Sequence, residues 1–442
     1  MSRHHRAQGA APFSSPDLHD LLAECGRTAT TVRAPMLTSR PILAALKRAG
    51  TRHIYADTAD VAELKGAVIP SGEEIIAEVD GNTVHQPLVG RVLDRYLADP
   101  RFPTSMARIE RGGWSRSAPG LEPLLYTMVC GWIGNDIGAQ IAARRLWEGS
   151  FQLHMGVVTD ARRARTLGRL LRRMVPSCLV KVPFTPHAPQ CLLVARDLEL
   201  ERIPVNFTTT FSARQAVTAA VLADVTRTNI FLGRLNQGLA AARLGEHVAL
   251  EAQRAIRRLR ERLRVKTQLI VAGLPDWRTF DTLAGCDVFA APCDALRAFL
   301  AQTELPPDGI SNRLARSWED ELGVADAIRA RLGPERIARL YRVEPELIDF
   351  LLDLRRTAEF QRTSDGEWLR RQFERAGFGD IFYAPDDTDW TQARRGTLPD
   401  LDSDLARRIP LDTHYTLLAH ADFERHQDEI DATIADRLAR SG

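Results

Sequence analysis

The chain is poor in cysteine and contains no long apolar run. Its six cysteines are spread over 442 residues without a CxxC pair, which argues against a zinc ribbon or a disulfide scaffold and fits a reducing compartment. No run approaches the roughly 18 apolar residues that a membrane span needs, and no apolar segment follows the basic N-terminus. We therefore predict a cytoplasmic protein without a metal site, a cofactor or a membrane contact.

The chain also lacks an excess of charge of either sign. Fifty-nine basic and fifty-seven acidic side chains leave a formal net charge of +2, so no overall field favours binding to nucleic acid. With 44% hydrophobic and 26% charged residues, the chain can bury a large core. It is long enough for one large domain with appendages or for two domains.

Lysine is the scarcest of the charged residues. Only four lysines stand among fifty-nine basic residues, and Lys181 lies in the apolar run 178–184, Cys-Leu-Val-Lys-Val-Pro-Phe. Arginine stays protonated and cannot act as a nucleophile, whereas burial favours the neutral form of a lysine. Lys181 is therefore either a Schiff-base lysine on a strand or a lysine at a strand end whose ammonium group reaches solvent.

Short β-branched or apolar runs alternate with helical segments from about residue 41, which predicts a parallel sheet. A closed (β/α)8 TIM barrel is favoured over a doubly wound sheet, because no Gly-rich phosphate turn follows the first strand and polar residues recur near the ends of many strands. The predicted strands are 52–57, 150–157, 178–184, 203–211, 228–233, 267–273 and 287–292.

Three parts are expected along the chain. Residues 1–40 form a loosely ordered leader, and residues 41–302 form the barrel, which is the catalytic domain. Residues 303–442 form a helical extension that ends in a closing C-terminal helix. The predicted helices of this extension are 315–332, 334–343, 345–362, 365–376 and about 420–439.

Polar residues on the predicted strands are the informative set. Each has an ordinary explanation, since Asp57 could cap a helix and Asn206 could belong to any half-buried strand. Together in one barrel they suit a Schiff-base enzyme, in which lysine attacks a ketone, a carboxylic acid moves protons, and neutral groups position water and sugar hydroxyls. The set is Asp57, Gln152, His154, Lys181, Asn206, Thr208 and Arg234.

Two stretches carry the first part of a family resemblance. Residues 54–64, Ile-Tyr-Ala-Asp-Thr-Ala-Asp-Val-Ala-Glu-Leu, and residues 179–185, Leu-Val-Lys-Val-Pro-Phe-Thr, are similar to the first strand and the lysine strand of the transaldolase family, whose members are class I, Schiff-base barrels. The resemblance implies that Asp57 is the general acid/base and that Lys181 forms the Schiff base.

Two further stretches extend the resemblance to the substrate. Residues 203–216 resemble the Asn-x-Thr strand and Phe-Ser turn of the family, which implies substrate contacts by Asn206, Thr208 and Ser212. Residues 229–234, Asn-Ile-Phe-Leu-Gly-Arg, resemble the element whose arginine faces the substrate phosphate. This element would bring Phe231 and Arg234 to the substrate.

The first departure from the family pattern concerns the catalytic water. Where a transaldolase has a glutamate, this chain has Gln152, the residue typical of the fructose-6-phosphate aldolase branch. Glutamine cannot take a proton, although it can hold a water together with Thr208. His154, two residues further along the strand, would point to the same face and could replace the base, or it could be a core histidine.

Two further departures concern substrate binding. The family has an Asn-Pro step after its first motif, and here either Asn82 or Gln86 could fill the asparagine role, with Gln86 favoured because Pro87 follows it. Gly273 and Pro275 stand where the family presents a serine and a basic residue to the phosphate. We hypothesise a substrate whose phosphate is absent, replaced or differently placed.

The resemblance implies a transaldolase-like enzyme that passes a dihydroxyacetone unit from a sugar or sugar phosphate to an aldehyde. A free aldolase that releases dihydroxyacetone is the nearest alternative, supported by Gln152. A barrel without catalysis, with residues 303–442 as an interaction surface, is the alternative from another class. A homodimer, and a place in the pentose phosphate pathway or in a specialised route, are left open.

Overall fold

The computed structural model describes residues 12–27, 40–69, 72, 74–141 and 147–440. Eight parallel strands form a closed barrel in sequence order, and β1 pairs with β8 to complete it. This confirms the predicted (β/α)8 barrel. The strands are β1 His53–Asp57, β2 Gly81–Val84, β3 Glu148–Gln152, β4 Cys178–Pro183, β5 Val205–Thr208, β6 Arg227–Phe231, β7 Gln268–Ala272 and β8 Val288–Ala291.

Helices surround the barrel and continue beyond its last strand. Those that precede or follow the strands are α1 Pro16–Gly26, α2 Pro41–Arg48, α3 Val61–Leu64, α4 Gln86–Ala98, α5 Arg101–Arg111, α6 Glu122–Ile141, α7 Ala161–Met174, α8 Gln190–Leu200, α9 Ala213–Leu222, α10 Leu232–Gly238, α11 Leu244–Leu263, α12 Thr279–Thr282 and α13 Cys293–Ala301. Those of the extension are α14 Asp326–Leu332, α15 Pro334–Ala338, α16 Pro345–Arg356, α17 Ala358–Arg362, α18 Gly366–Arg375, α19 Asp387–Ala393, α20 Asp404–Arg408 and α21 Leu411–Arg440.

Strand β2 is the one strand that the sequence pattern did not predict. It is only four residues long, Gly-Asn-Thr-Val, and its first two residues are more typical of turns. Its register pairs Tyr55 with Gly81 and Asp57 with Thr83. Gly81 is required there because a Cβ would lie 2.0 Å from the Glu148 carbonyl oxygen and 2.9 Å from the Tyr55 ring.

Helix α1 lies in the segment for which a loosely ordered leader was predicted. Ser15 caps this helix, and its buried Leu18 and Leu22 pack with α5, α6 and α7. The Trp132 indole nitrogen donates a 2.8 Å hydrogen bond to the Cys25 carbonyl at the end of the helix. The amphipathic pattern of these residues thus serves docking onto the barrel, while residues 1–11 and 28–39 lie outside the described ranges.

The extension packs on the barrel through a hydrophobic core that the two regions share. Its helices are shorter than predicted, because Gly323 takes a left-handed backbone, with a φ of +60°, and Thr357 is extended and caps α17 through its hydroxyl. Helix α21, in contrast, begins at Leu411 rather than near residue 420. Within the described ranges, no helix combines the length and the apolar character that crossing a membrane requires.

Helix α21 lies across the carboxyl ends of the strands. Its 30 residues span about 45 Å. The Tyr415 and Thr416 hydroxyls donate to the carbonyls of Leu235 and Thr209, and the Gln427 side chain accepts from the Met155 backbone. These bonds hold the helix above the barrel mouth, where the active sites of such barrels lie.

We predict that Gly81→Ala destabilises the protein, because the added methyl group has no room between β2, Glu148 and Tyr55. Overpacking of this kind costs about 1–3 kcal/mol or more. Gly396→Ala is the control, since its Cβ would meet nothing within 4 Å. Urea unfolding monitored by circular dichroism measures both, and equal free energies of unfolding would contradict the prediction.

Candidate active site

The barrel register brings the central predicted residues together. Lys181 on β4 is level with Gln152 on β3 and with Asn206 on β5. Alternate residues of a strand share one face, so Thr208 lies on the same inner face as Asn206. Asp57 ends β1. Five predicted residues from four strands therefore surround one interior space.

Lys181 is buried, with 1% of its surface exposed. Burial lowers the pKa of Lys181 to about 8, although the negative charge of Asp57 opposes this shift. An ordinary lysine amine is almost fully protonated at neutral pH. Lys181 instead has a substantial fraction of neutral, nucleophilic amine only one pH unit above neutrality.

Asp57 remains ionised despite its surroundings. Burial opposes its charge, but the interactions with His85, Lys181 and Thr83 outweigh burial and lower the pKa of Asp57 to about 2. The Thr83 hydroxyl donates a 2.5 Å hydrogen bond to Asp57 Oδ1. The carboxylate is thus an acceptor fixed at the edge of the barrel interior.

Three buried oxygen atoms beside Lys181 have no hydrogen-bond partner among the described residues. They are Gln152 Oε1, Asn206 Oδ1 and the Thr208 hydroxyl. The amide nitrogen of Asn206 donates to Ser150 at 2.8 Å, which fixes the orientation of the amide. Buried polar groups are normally paired, so these atoms are suited to bind a hydroxylated ligand or a water.

A pocket of about 270 Å³ opens at the mouth of the barrel. Its wall combines Asp57 and Arg234 with three aromatic rings, those of Phe211, Phe231 and Phe423. Phe423 belongs to α21, so the closing helix forms part of the pocket. A larger cleft of about 580 Å³ lies along α21 near His154, but Asp57 does not line it, and its size alone does not make it the active site. Lys181, Gln152, Asn206 and Thr208 are buried and line neither cavity, so Asp57 is the residue that links the 270 Å³ pocket to them.

Arg234 reaches this pocket already paired with an acid. One guanidinium nitrogen donates to Asp422 of α21 at 2.8 Å, and the plane lies 6.0 Å from the Phe423 ring. The NH1 atom is buried without a partner in the described part of the chain. Gly273 lines the same pocket and offers no side chain to an anion.

His154 does not face the barrel interior as predicted. Strand β3 ends at Gln152, and His154 instead caps a short 3-10 helix, Met155–Val157. Its Nε2 atom lies 2.9 Å from Asp431 of α21, and its Nδ1 atom accepts a hydrogen bond from the Gly156 amide. The predicted strand 150–157 runs five residues past the observed end of β3 at Gln152, and His154 fastens the closing helix.

Ser212 is also engaged elsewhere. Its hydroxyl donates to Asp412 at 2.6 Å, and Arg214 holds the same carboxylate through two hydrogen bonds of 2.7 and 2.8 Å. All three side chains are buried. The structure places Ser212 in this network at the start of α21 and not on the pocket wall.

Neither candidate for the asparagine role lies at the pocket. Asn82 points out of the barrel and donates to the Thr58 carbonyl, while Gln86 donates to the Leu153 carbonyl and to Gln427. His85 and Pro87 are the residues of this segment that line the pocket, and the Nε2 atom of His85 lies 3.6 Å from Asp57. Thr83 and His85 are two residues apart and therefore face the same side of the strand. This alternation could have identified His85 if β2 had been recognised in the sequence.

Comparisons with known proteins agree with this geometry. Residues 141–329 match the sequence profile of the family described as Transaldolase/Fructose-6-phosphate aldolase. A probable transaldolase of Rhodospirillum centenum is 35% identical over 112 residues, which are 25% of this chain and 40% of that protein. A probable transaldolase of Exiguobacterium sibiricum is 32% identical over 166 residues, 37% of this chain and 71% of that protein.

The matched profile region contains Gln152, Lys181, Asn206, Thr208 and Arg234. It does not contain β1, β2 or α21. Asp57 and the closing helix are therefore placed at the pocket by the barrel geometry and not by the profile.

We predict that Lys181 titrates near pH 8 and that Asp57→Asn lowers this midpoint, because the carboxylate is what opposes the effect of burial. Carbon NMR of labelled lysine measures this directly, since the chain has only four lysines. Loss of one signal in Lys181→Arg assigns it. Asp431→Asn, which removes a carboxylate paired with His154, should leave the midpoint unchanged.

Proposed function

The chain belongs to the transaldolase/fructose-6-phosphate aldolase family, and we propose that it transfers a three-carbon dihydroxyacetone unit from a ketose to an aldehyde through an imine on Lys181. The supporting observation is the pairing of a buried amine with a fixed carboxylate in one barrel interior. Burial makes the Lys181 amine available, and Asp57 supplies negative charge to the positive imine that forms.

The proposed reaction begins when the neutral Lys181 amine attacks the ketone carbon, and loss of water gives the iminium ion. The iminium then accepts the electron pair of the C3–C4 bond, while a base removes the proton of the C4 hydroxyl. The leaving fragment departs as an aldehyde and an enamine remains on Lys181. Addition of an acceptor aldehyde and hydrolysis of the new imine complete the transfer.

Gln152 and Thr208 are suited to hold the water that is released when the imine forms and that is consumed when the imine is hydrolysed. Gln152 Oε1 can accept a hydrogen bond and the Thr208 hydroxyl can donate one, and neither is otherwise engaged within the described ranges. Because Gln152 cannot take a proton, water would be oriented there without being activated. This feature favours free aldolase activity as the second candidate function.

The pocket supports an unphosphorylated ketose as the substrate class. Asp422 already binds one nitrogen of Arg234, Gly273 contributes no donor side chain, and the remaining wall is rich in phenylalanine. A dianionic phosphate would have to compete with Asp422 for the single arginine. A hydroxyl group or a smaller apolar substituent would not have to compete with Asp422. The cytoplasmic location and the possible homodimer stay predictions from the sequence.

Borohydride reduction in the presence of dihydroxyacetone or fructose 6-phosphate should add a three-carbon or sugar mass to the peptide that holds Lys181. Lys181→Arg should abolish the adduct, because a guanidinium keeps the charge but cannot form the imine. Lys65→Arg is the matched control, since Lys65 is exposed.

Mass spectrometry of the digested protein reads out both variants. An adduct on another lysine, or none with either ketone, would remove the support for imine chemistry. A barrel that serves only as a binding or scaffold protein would then be favoured.

We predict that the wild type cleaves fructose faster than fructose 6-phosphate and that Asp422→Asn reverses part of this preference. Release of Arg234 should raise the relative kcat/KM for the phosphorylated sugar by about tenfold, as expected for a charge-assisted hydrogen bond of about 1.5 kcal/mol. Asp436→Asn is the control, since it removes a carboxylate from the same helix that pairs with Arg440 and contacts neither Arg234 nor Asp422, and it should change nothing. A wild type that prefers the phosphorylated sugar would refute the proposed substrate class.

A further inference from the structure

His85 is a polar side chain beside Asp57 that the proposed reaction has not used. It follows β2 by one residue, and its Nε2 atom lies 3.6 Å from Asp57 Oδ2. Both residues line the 270 Å³ pocket at the barrel mouth. Its ring also packs against the Phe423 ring of α21, with the centroids 5.5 Å apart.

The Nδ1 atom of His85 has no structural role among the described residues. His85 stands at the N-cap position of α4, yet it makes no capping hydrogen bond. Its Nδ1 atom is buried and has no partner among the residues that the structure describes. A buried imidazole nitrogen without a partner is unusual in a protein interior, where polar atoms are normally paired.

The charges around His85 determine its protonation. Burial is the largest effect and lowers the pKa of His85 below its ordinary value, and Lys181 and Arg234 act in the same direction while Asp57 opposes them. The ring is therefore neutral at pH 7. The nearby carboxylate favours the tautomer with its proton on Nε2, which leaves a lone pair on Nδ1.

His85 offers an unoccupied proton acceptor, whereas both oxygens of Asp57 face a neighbour. The Thr83 hydroxyl donates to Asp57 Oδ1 and the His85 ring faces Oδ2, while Nδ1 of His85 has no partner among the described residues. A proton taken up by the ring also creates an imidazolium ion directly beside the Asp57 carboxylate, which stabilises it. In this arrangement Asp57 orients the imidazole ring and His85 accepts the proton.

We propose that His85 is the catalytic base of this site, which removes the proton of the substrate C4 hydroxyl during carbon–carbon cleavage, and that Asp57 orients its ring and stabilises the imidazolium. This inference rests on the proposed function. As the C3–C4 bond breaks, its electron pair moves into the iminium on Lys181 and forms the enamine. The C4 oxygen becomes an aldehyde oxygen and its proton moves to Nδ1. Addition of an acceptor aldehyde reverses these transfers and returns the proton to the new hydroxyl.

The test separates imine formation from bond cleavage in His85→Ala and His85→Gln. Borohydride trapping with dihydroxyacetone measures imine formation, and it should remain within about threefold of the wild type, which also shows that the variants are folded. The kcat for cleavage of fructose or fructose 6-phosphate, whichever the wild type cleaves faster, should fall by about 10²–10⁴ with little change in KM.

Two further readouts are specific to a base. The wild-type pH profile of kcat should fall on its acidic side as His85 becomes protonated, and this limb should disappear in His85→Ala. Added imidazole should restore part of the activity of His85→Ala but none to His85→Gln, whose longer side chain fills the space.

Each alternative result overturns a different claim. An unchanged kcat and pH profile in both variants, or loss of trapping together with cleavage in both, would overturn the role of His85 as the base in bond cleavage. A wild type that forms no adduct with dihydroxyacetone and cleaves neither sugar would instead overturn the proposed function.

Discussion

In a closed barrel, each strand can direct only every second side chain to the interior, and this alternation determines which residues can take part in chemistry. Lys181, Gln152 and Asn206 share the interior because their strands pair level with one another. The same alternation directs Asn82 outward and Gly81 inward, where glycine is the residue that fits between Tyr55 and Glu148. One residue beyond β2, it directs His85 toward Asp57.

The pKa values of Lys181 and Asp57 depend on each other. Asp57 raises the pKa of Lys181 while burial lowers it, and Lys181 in turn helps to keep Asp57 ionised. Neither pKa can be explained from the surroundings of one residue alone. Helix α21 contributes two further charged contacts at the barrel mouth. Asp422 pairs with Arg234 at the pocket, and Asp431 pairs with His154.

The parts of the site that the sequence predicts are those encoded locally. The β-branched run around Lys181 and the Asn-x-Thr alternation at Asn206 are visible in a few neighbouring residues, and seven of the eight strands have such runs. Strand β2 was missed because Gly81 and Asn82 resemble a turn, and His85 was missed with it. Ser212 could not be placed, because its partner Asp412 lies 200 residues away and the contact exists only after α21 has docked.

The position of α21 over the mouth has a consequence for how transferase and lyase activity differ in such a barrel. On the proposed chemistry, the enamine on Lys181 waits beneath this helix for an aldehyde, and any water that reaches it first ends the cycle as hydrolysis. The acceptor aldehyde and water then compete for the enamine. The result of this competition depends on how fully the helix shields the enamine from water, so that two related proteins with identical catalytic residues can give different products solely through the cover over a covalent intermediate.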